Sequence, residues 1–194
     1  MAEAVTLHEA FVDELRDAYD AERQLTEALS QLSRAASSPE LREAFRTHLQ
    51  ETQGHADRLE LVFATLNEDV RGKHCDGITG IIEEGRSVME ANLDGITMDA
   101  CLIAAGQRAE HYEIAAYGTL IAWAQAMGYT DAASLLRQTL EEEKAAERKL
   151  SSLAGGGNNQ RTADTAHPDK DEPPVAFGAA THSYNPATLK LQRL

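Results

Sequence analysis

Two glutamates, Glu110 and Glu113, fall where a core residue belongs. Ile103, Gly106, Glu110, Glu113, Tyr117, Leu120, Ala124 and Met127 recur at every third or fourth position, the spacing of a helix face turned inward. Burying an unpaired carboxylate costs several kcal/mol, so a sequence that places two on such a face supplies a cation, a hydrogen-bond network or a proton to compensate. A divalent metal ion is the simplest compensation.

Other polar residues interrupt apolar stripes in the same way. Glu22 breaks the run Phe11, Leu15, Ala18, Leu25, Leu29 and Leu32, and His48, Thr52 and His55, with Glu51 beside them, occupy the middle of the run Leu41, Phe45, Leu59, Val62 and Leu66. Glu143 lies among Leu136, Thr139, Ala146, Leu150 and Leu153, with Glu147 one turn beyond it. Carboxylates from four helices plus an imidazole, projecting into one bundle, make the ligand set of a di-iron or di-manganese site: four anions balance two divalent cations, and a nitrogen donor, for which His55 is the candidate, completes the set.

The elements that must position these groups read as helices. Thr6-Leu-His-Glu9 is a capping box that opens a first helix running to about residue 36. Ser37-Ser-Pro39 is a turn with proline at the first position of a second helix, and the short link makes the pair an antiparallel hairpin. A polar stretch over 67–74 leads to a shorter helix over about 75–91, suited to a crossover. Gly95 then breaks the pattern, Thr97 can cap, and a third long helix runs to Gly128, a C-terminal cap. Thr130 caps a fourth, which Gly155-Gly-Gly157 ends. The hairpins look like a weak internal repeat, Asp17-Ala-Tyr-Asp20 before Glu51-x-x-x-His55 against Glu110-His-Tyr-Glu113 before Glu143-x-x-x-Glu147. The interval from Asp17 to Glu51 is 34 residues and that from Glu110 to Glu143 is 33. For the first helix the repeat points to Asp17 as the ligand, whereas the apolar stripe points to Glu22.

Composition excludes several classes. Gly and Pro are rare before residue 150 and strand-like alternation is absent, so the fold class is all-α, an antiparallel four-helix bundle with an additional short helix in the crossover. The formal net charge is -14 across 194 residues, and residues 155–194 balance four Lys/Arg against four Asp/Glu, so the excess is carried by residues 1–154. An acidic body suits cations and excludes nucleic acid or an anionic membrane as the partner. No apolar run approaches the roughly 20 residues of a membrane span. Cys75 and Cys101 form no CxxC pair and no signal pattern opens the chain, which makes the cytoplasm the expected compartment.

Several motifs together resemble the YciE/YciF-type ferritin-like proteins, stress-associated bacterial relatives of rubrerythrin and ferritin. They are Asp17-x-Tyr-Asp-Ala-Glu22-Arg-Gln-Leu, His48-Leu-x-Glu51-Thr, Arg58-Leu-Glu60, Cys75 with the following Ile-Ile-Glu-Glu-Gly, Glu110-His-Tyr-Glu-Ile, Tyr117-Gly-Thr-Leu and Thr139-Leu-Glu-Glu-Glu. The resemblance covers residues 6–153. It implies a ferritin-like bundle, a homodimer, and a centre of two iron ions, or manganese, that oxidises Fe(II) with oxygen or peroxide. Carried over by position, Glu110 and Glu113 look like the paired acids of the third long helix, Glu143 like the bridging acid of the fourth, and Glu51 with His55 like the pair on the second. The Glu-x-x-His spacing of such centres is not kept, since three residues separate Glu51 from His55, and Glu147 stands where a histidine is common. His48 and His111 read as hydrogen-bonding structural residues, and Glu141, Glu142, Asp13 and Glu60 as solvated surface.

The expected metal ligands are thus Asp17, Glu22, Glu51, His55, Glu110, Glu113, Glu143 and Glu147, in a ferritin-like domain over residues 1–154. Residues 155–194 are expected to be a flexible tail, whose last stretch, 183–194, reads first as a disordered end and alternatively as a docking peptide for a protein partner. The competing reading is a non-catalytic structural or stress protein whose buried acids share protons or pair with Arg108 or Arg58.

Overall fold

Residues 5–158 are described by a computed structural model of the protein. The Thr6 hydroxyl accepts from Glu9 N while the Glu9 carboxylate accepts from Thr6 N at 2.7 Å, and this capping box opens α1 (Leu7–Ala35). The link is three residues long, and its last, Ser38, caps α2 (Pro39–Leu66), with proline in the first turn. Asn67, in the left-handed region at φ 55°, closes α2. The chain then passes through α3 (Asp76–Glu90) to α4 (Gly95–Ala126) and α5 (Thr130–Leu153), which continues into a π-helical turn, Ala154–Asn158. Among the described residues there is no strand.

The four long helices share one layering. Phe11, Leu15, Leu59, Val62, Phe63, Leu120 and Leu136 form an apolar cluster at one end, and Leu29, Leu32, Leu41, Phe45, Leu102, Ile103 and Leu150 form another at the opposite end. Between them every long helix contributes buried polar residues: Glu22 from α1, His48, Thr52 and His55 from α2, Glu110 and Glu113 from α4, Thr139 and Glu143 from α5. Chain direction follows from this order. Passing from α1 to α2 reverses it, and so does passing from α4 to α5, whereas α2 and α4 run the same way. The connection between the two hairpins therefore travels the length of the bundle. It carries α3, whose Ile78 packs with Ala21, Leu25, Cys75 and Ala109 against α1 and α4.

Three contacts fix that arrangement. The Asp99 carboxylate on α4, 4% exposed, accepts from Ser37 N at 2.7 Å and Ser38 N at 2.8 Å, tying the α1–α2 turn to α4. Lys73 N donates to Arg16 O at 3.0 Å, and Cys75 N donates to Asp20 Oδ2 at 2.9 Å, holding the crossover along α1.

Three element ends differ from the sequence reading. Asp94, not Thr97, caps α4: its Oδ1 accepts from Ile96 N at 2.9 Å and Thr97 N at 3.1 Å, and Gly95 is the first helical residue rather than a break. Gly95 has a packing reason, since a Cβ there would lie 2.6 Å from Ser37 Oγ. Thr130 belongs to α5 itself and makes no capping bond; its N–H donates instead to Gly128 O across the turn at which Gly128 takes φ +76°. The glycines after residue 154 carry the backbone through the π turn instead of stopping the helix at once. Residues 183–194 lie outside the described residues.

Candidate metal centre

The polar layer is buried. Glu22, His48, His55, Glu110, Glu113 and Glu143 are each between 0 and 6% exposed. They converge in two sets. One donor atom from each of His48, Glu110, Glu113 and Glu143 lies within 4.8 Å of the others, and the same holds for Glu22, His55 and Glu143. Glu143 belongs to both.

The approaches are short but do not satisfy the groups. His48 Nε2 is 3.1 Å from Glu110 Oε1 and 3.5 Å from Glu143 Oε2. His55 Nδ1 is 2.8 Å from Glu143 Oε1 and 3.5 Å from Glu22 Oε2, yet neither approach has the alignment of a hydrogen bond. Buried atoms left without a hydrogen-bond partner include Glu22 Oε2, His55 Nδ1, Glu110 Oε2, Glu113 Oε1 and both oxygens of Glu143. Buried polar groups are ordinarily paired, so a layer with this many orphaned oxygens is chemically suited to hold a cation. The arginines that could have neutralised the acids are engaged elsewhere: Arg58 holds Glu142, and Arg108 approaches Glu84 at 3.8 Å.

Each histidine has a carboxylate behind it. His55 Nε2 meets Glu142 Oε2 at 2.9 Å, and Glu142 is gripped in turn by Arg58, Nη1 to Oε2 at 2.8 Å and Nη2 to Oε1 at 3.1 Å, with Nη1 also donating to Thr139 Oγ1 at 2.7 Å. With its proton on Nε2 toward Glu142, the ring presents the Nδ1 lone pair to Glu22 and Glu143. His48 Nδ1 lies 3.4 Å from Glu51 Oε2 in the same relation, leaving Nε2 toward Glu110 and Glu143. A carboxylate on the far nitrogen is the usual way a protein fixes the tautomer and orientation of a metal-binding imidazole.

The electrostatics of the bare layer follow from burial. Desolvation raises the carboxyl pKa values of Glu22, Glu113 and Glu143, and for Glu113 the charges of Glu143, Glu22 and Glu110 push it further, well above the usual carboxylate range. Burial alone would depress His55, but Glu143 and Glu22 beside it dominate and lift it to about 10. His48 is raised well above its ordinary value against the same opposing desolvation, by Glu110 and Glu51. The Tyr117 hydroxyl donates to Glu22 Oε1. Burial first, and then the carboxylates, hold that hydroxyl in its protonated form.

Of the residues singled out by sequence, Glu22, His55, Glu110, Glu113 and Glu143 come together. Asp17 does not: it faces a separate cluster, where its Oδ2 accepts from the Tyr112 hydroxyl at 3.4 Å and Cys75 Sγ lies 3.1 Å from that hydroxyl. Glu51 stands behind His48, half-buried, and Glu147 points away, accepting from Ser151 Oγ at 2.6 Å. Two participants escaped the sequence reading. His48 precedes His55 by two helical turns and so shares its inward face; Glu142 adjoins Glu143 and reads as surface until Arg58 is placed beside it. Access comes from a cleft of about 560 Å³ between α2 and α5, bordered by Glu43, Glu51 and Lys149 and reaching His48 and Glu110.

A four-helix bundle with a long crossover and a buried layer of carboxylates and imidazoles is a ferritin-like protein. The chain belongs to the family described as Domain of unknown function (DUF892), which matches residues 6–163. It is 44% identical over 162 residues to Protein YciF of Escherichia coli (strain K12), a match that covers 83% of this chain and 98% of that one. The crystal structure of the E. coli stress protein YciF agrees with a TM-score of 0.78 over 81% of this chain and 99% of that chain. YcfI from Rhodopseudomonas palustris is 40% identical, with a TM-score of 0.74 over 76% of this chain and 94% of that one. A two-domain protein from Anabaena variabilis containing DJ-1/ThiJ/PfpI-like and ferritin-like domains shares the fold at 22% identity, with a TM-score of 0.53 over 89% of this chain and 42% of that one. The resemblance read from the motifs is therefore borne out. Among the described residues no helix is long and apolar enough to cross a membrane.

Proposed function

We propose that the buried layer holds two divalent metal ions, natively iron, and that the protein oxidises Fe(II) with oxygen or peroxide. The observation that carries this reading is the pair of donor sets sharing Glu143, with their orphaned oxygens and the Nδ1 of His55. Glu22, Glu110, Glu113 and Glu143 supply four negative charges, the number that two divalent cations neutralise. Hard carboxylate oxygens with one imidazole in each set suit iron or manganese better than softer metals. When bound, the metal pair would supply the electrons and accept the oxidant.

The chain's own residues do the rest. Glu143 bridges the two sets, His48 and His55 are held in register by Glu51 and Glu142, and the Tyr117 hydroxyl steadies Glu22. The apolar clusters on either side exclude water, which strengthens each charge interaction inside the layer. Glu43 and Glu51 on the cleft draw cations toward His48 and Glu110. The E. coli relative is called a stress protein, and we extend a role in stress to this chain, as a homodimer in the cytoplasm with its metal-binding domain within residues 1–154.

The test is metal analysis of protein purified from cells supplied with iron and manganese, followed by ferrous titration in air. About two metals per chain and an oxygen-dependent absorbance change are expected. Well under one metal per chain with no absorbance change would leave the non-catalytic reading, in which the acids hold protons.

A further inference from the structure

The α2–α5 cleft is larger and more apolar than the passage of a cation requires. At about 560 Å³ it is in the range of small-molecule sites, and its walls are built by Ala44, Phe45, Ala145, Ala146 and Leu150. Its floor is reactive: His48 and Glu110 line it from the metal layer, and Glu110 Oε2, buried, has no hydrogen-bond partner. The charged residues bordering it decide which molecule fits. Glu43 and Glu51 stand at its mouth with Lys149, and Glu110 lies on its floor beside His48, so acids outnumber Lys149 around the opening and an organic anion is disfavoured, whereas an uncharged molecule with a small polar head and an apolar body loses nothing there.

We propose that this cleft binds an organic hydroperoxide as the oxidant, with its O–O end directed to His48 and Glu110 and its hydrocarbon part against Phe45, Ala146 and Leu150. The inference rests on the ferrous-oxidation reading above and names the substrate class of that site. The step balances: the O–O bond breaks, two ferrous ions each give one electron, two protons are taken up, and the products are an alcohol, water and two ferric ions. The two protons come from solvent through the open side of the cleft.

Binding is read without turnover by titrating cumyl alcohol, the uncharged product of cumene hydroperoxide, into the full-length metal-free protein, with benzoate as the anionic counterpart. Saturable binding of cumyl alcohol is expected, at least tenfold tighter than benzoate, and weakened tenfold or more by Ala146→Phe and by Ala44→Phe. The two fillers stand on different helices, so agreement between them excludes a local folding defect. In ferrous-loaded protein the same variants lower kcat/KM for cumene hydroperoxide tenfold or more, and by a larger factor than they lower that for hydrogen peroxide. Absence of saturable cumyl alcohol binding to the wild type, or equal binding in both filled variants, overturns the proposal. Cobalt(II) uptake measured on the same samples reads the metal layer separately: intact uptake without alcohol binding refutes the cleft alone, whereas absent uptake refutes the metal reading.

Discussion

Replacing Glu113 by glutamine keeps the shape of the side chain and removes one negative charge, and the two states of the protein respond in opposite directions. Without metal, Glu113 is 3% exposed, its Oε1 has no partner, and burial together with Glu143, Glu22 and Glu110 raises its pKa well above the usual range. A carboxyl held more protonated in the folded chain contributes fully below its unfolded pKa and loses that contribution as pH rises through the folded value. Glutamine cannot ionise, so Glu113→Gln matches the wild type near pH 4.5 and gains on it as pH rises. Relief of the buried charge that the wild type acquires as Glu113 ionises is worth roughly 1–3 kcal/mol at pH 9. For a chain of this size, at about 2–4 °C per kcal/mol, the melting temperature rises by roughly 2–12 °C. His55, lifted to about 10, also favours the folded state at lower pH, but it does so in both proteins. Metal reverses the order: at 100 times its dissociation constant a cation stabilises the wild type by about 2.7 kcal/mol, and the variant, short of one charged donor, gains less. Differential scanning calorimetry at pH 5, 7 and 9, with chelator and with manganese(II), measures both halves. A variant that melts below the wild type at pH 9 without metal, or that shows the same metal-induced shift, would refute the assignment of Glu113.

Glu142→Ala removes no proposed ligand but frees His55 to turn, so cobalt(II) affinity should fall about 10–100-fold while the metal stoichiometry at saturation is kept; an unchanged affinity would mean that Glu142 serves only Arg58. Glu22→Gln should reduce cobalt(II) bound per chain, whereas Asp17→Asn and Glu147→Gln should not, and a loss in either of the latter two would place a ligand outside the clustered residues. Gly77→Ala sets a Cβ 2.7 Å from Tyr112 Cε2 and 2.8 Å from its hydroxyl. It should destabilise the protein by about 1–3 kcal/mol in urea unfolding, with Tyr112→Leu in the same chain restoring most of the loss.

The helical periods carried most of the fold because each inward stripe is nearly free of ambiguity. The runs beginning at Phe11, Leu41 and Ile103 are buried, polar interruptions included, except at their last members Leu66 and Met127, and the buried face is wider than the runs, taking in Val12, Ala21, Phe63, Leu102 and Ile121 as well. Helix ends were harder to read, since Asp94 and Thr97 both have the chemistry of a cap and only the backbone bonds of Asp94 decide between them. The site was legible wherever a polar residue broke an apolar stripe, as Glu22, His55, Glu110, Glu113 and Glu143 do. It was illegible where the deciding fact lay on another helix. Nothing near Glu142 in sequence announces Arg58, and Glu51, one turn from His48 on the same helix, cannot be told from a ligand until the rings are placed.

The internal repeat was present but read in the wrong register. Glu110 stands 88 residues after Glu22, and Glu143 the same 88 after His55, so the true correspondence pairs Glu22 with Glu110 and His55 with Glu143. Asp17, under this offset, corresponds to Ala105, and it lies outside the layer, beside the Tyr112 hydroxyl. The symmetry then breaks in an informative way. His48 corresponds to Leu136, Glu113 to Leu25 and Tyr117 to Leu29, all apolar core residues in the other half. Both added donors, His48 and Glu113, join Glu110 and Glu143 in the same set, leaving Glu22, His55 and Glu143 with the Tyr117 hydroxyl beside them. One set therefore offers four protein donors and the other three. The repeated hairpin supplies a symmetric frame of Glu22, Glu110, His55 and Glu143, and His48, Glu113 and Tyr117, which have no polar counterpart in the other half, make the two donor sets chemically unequal.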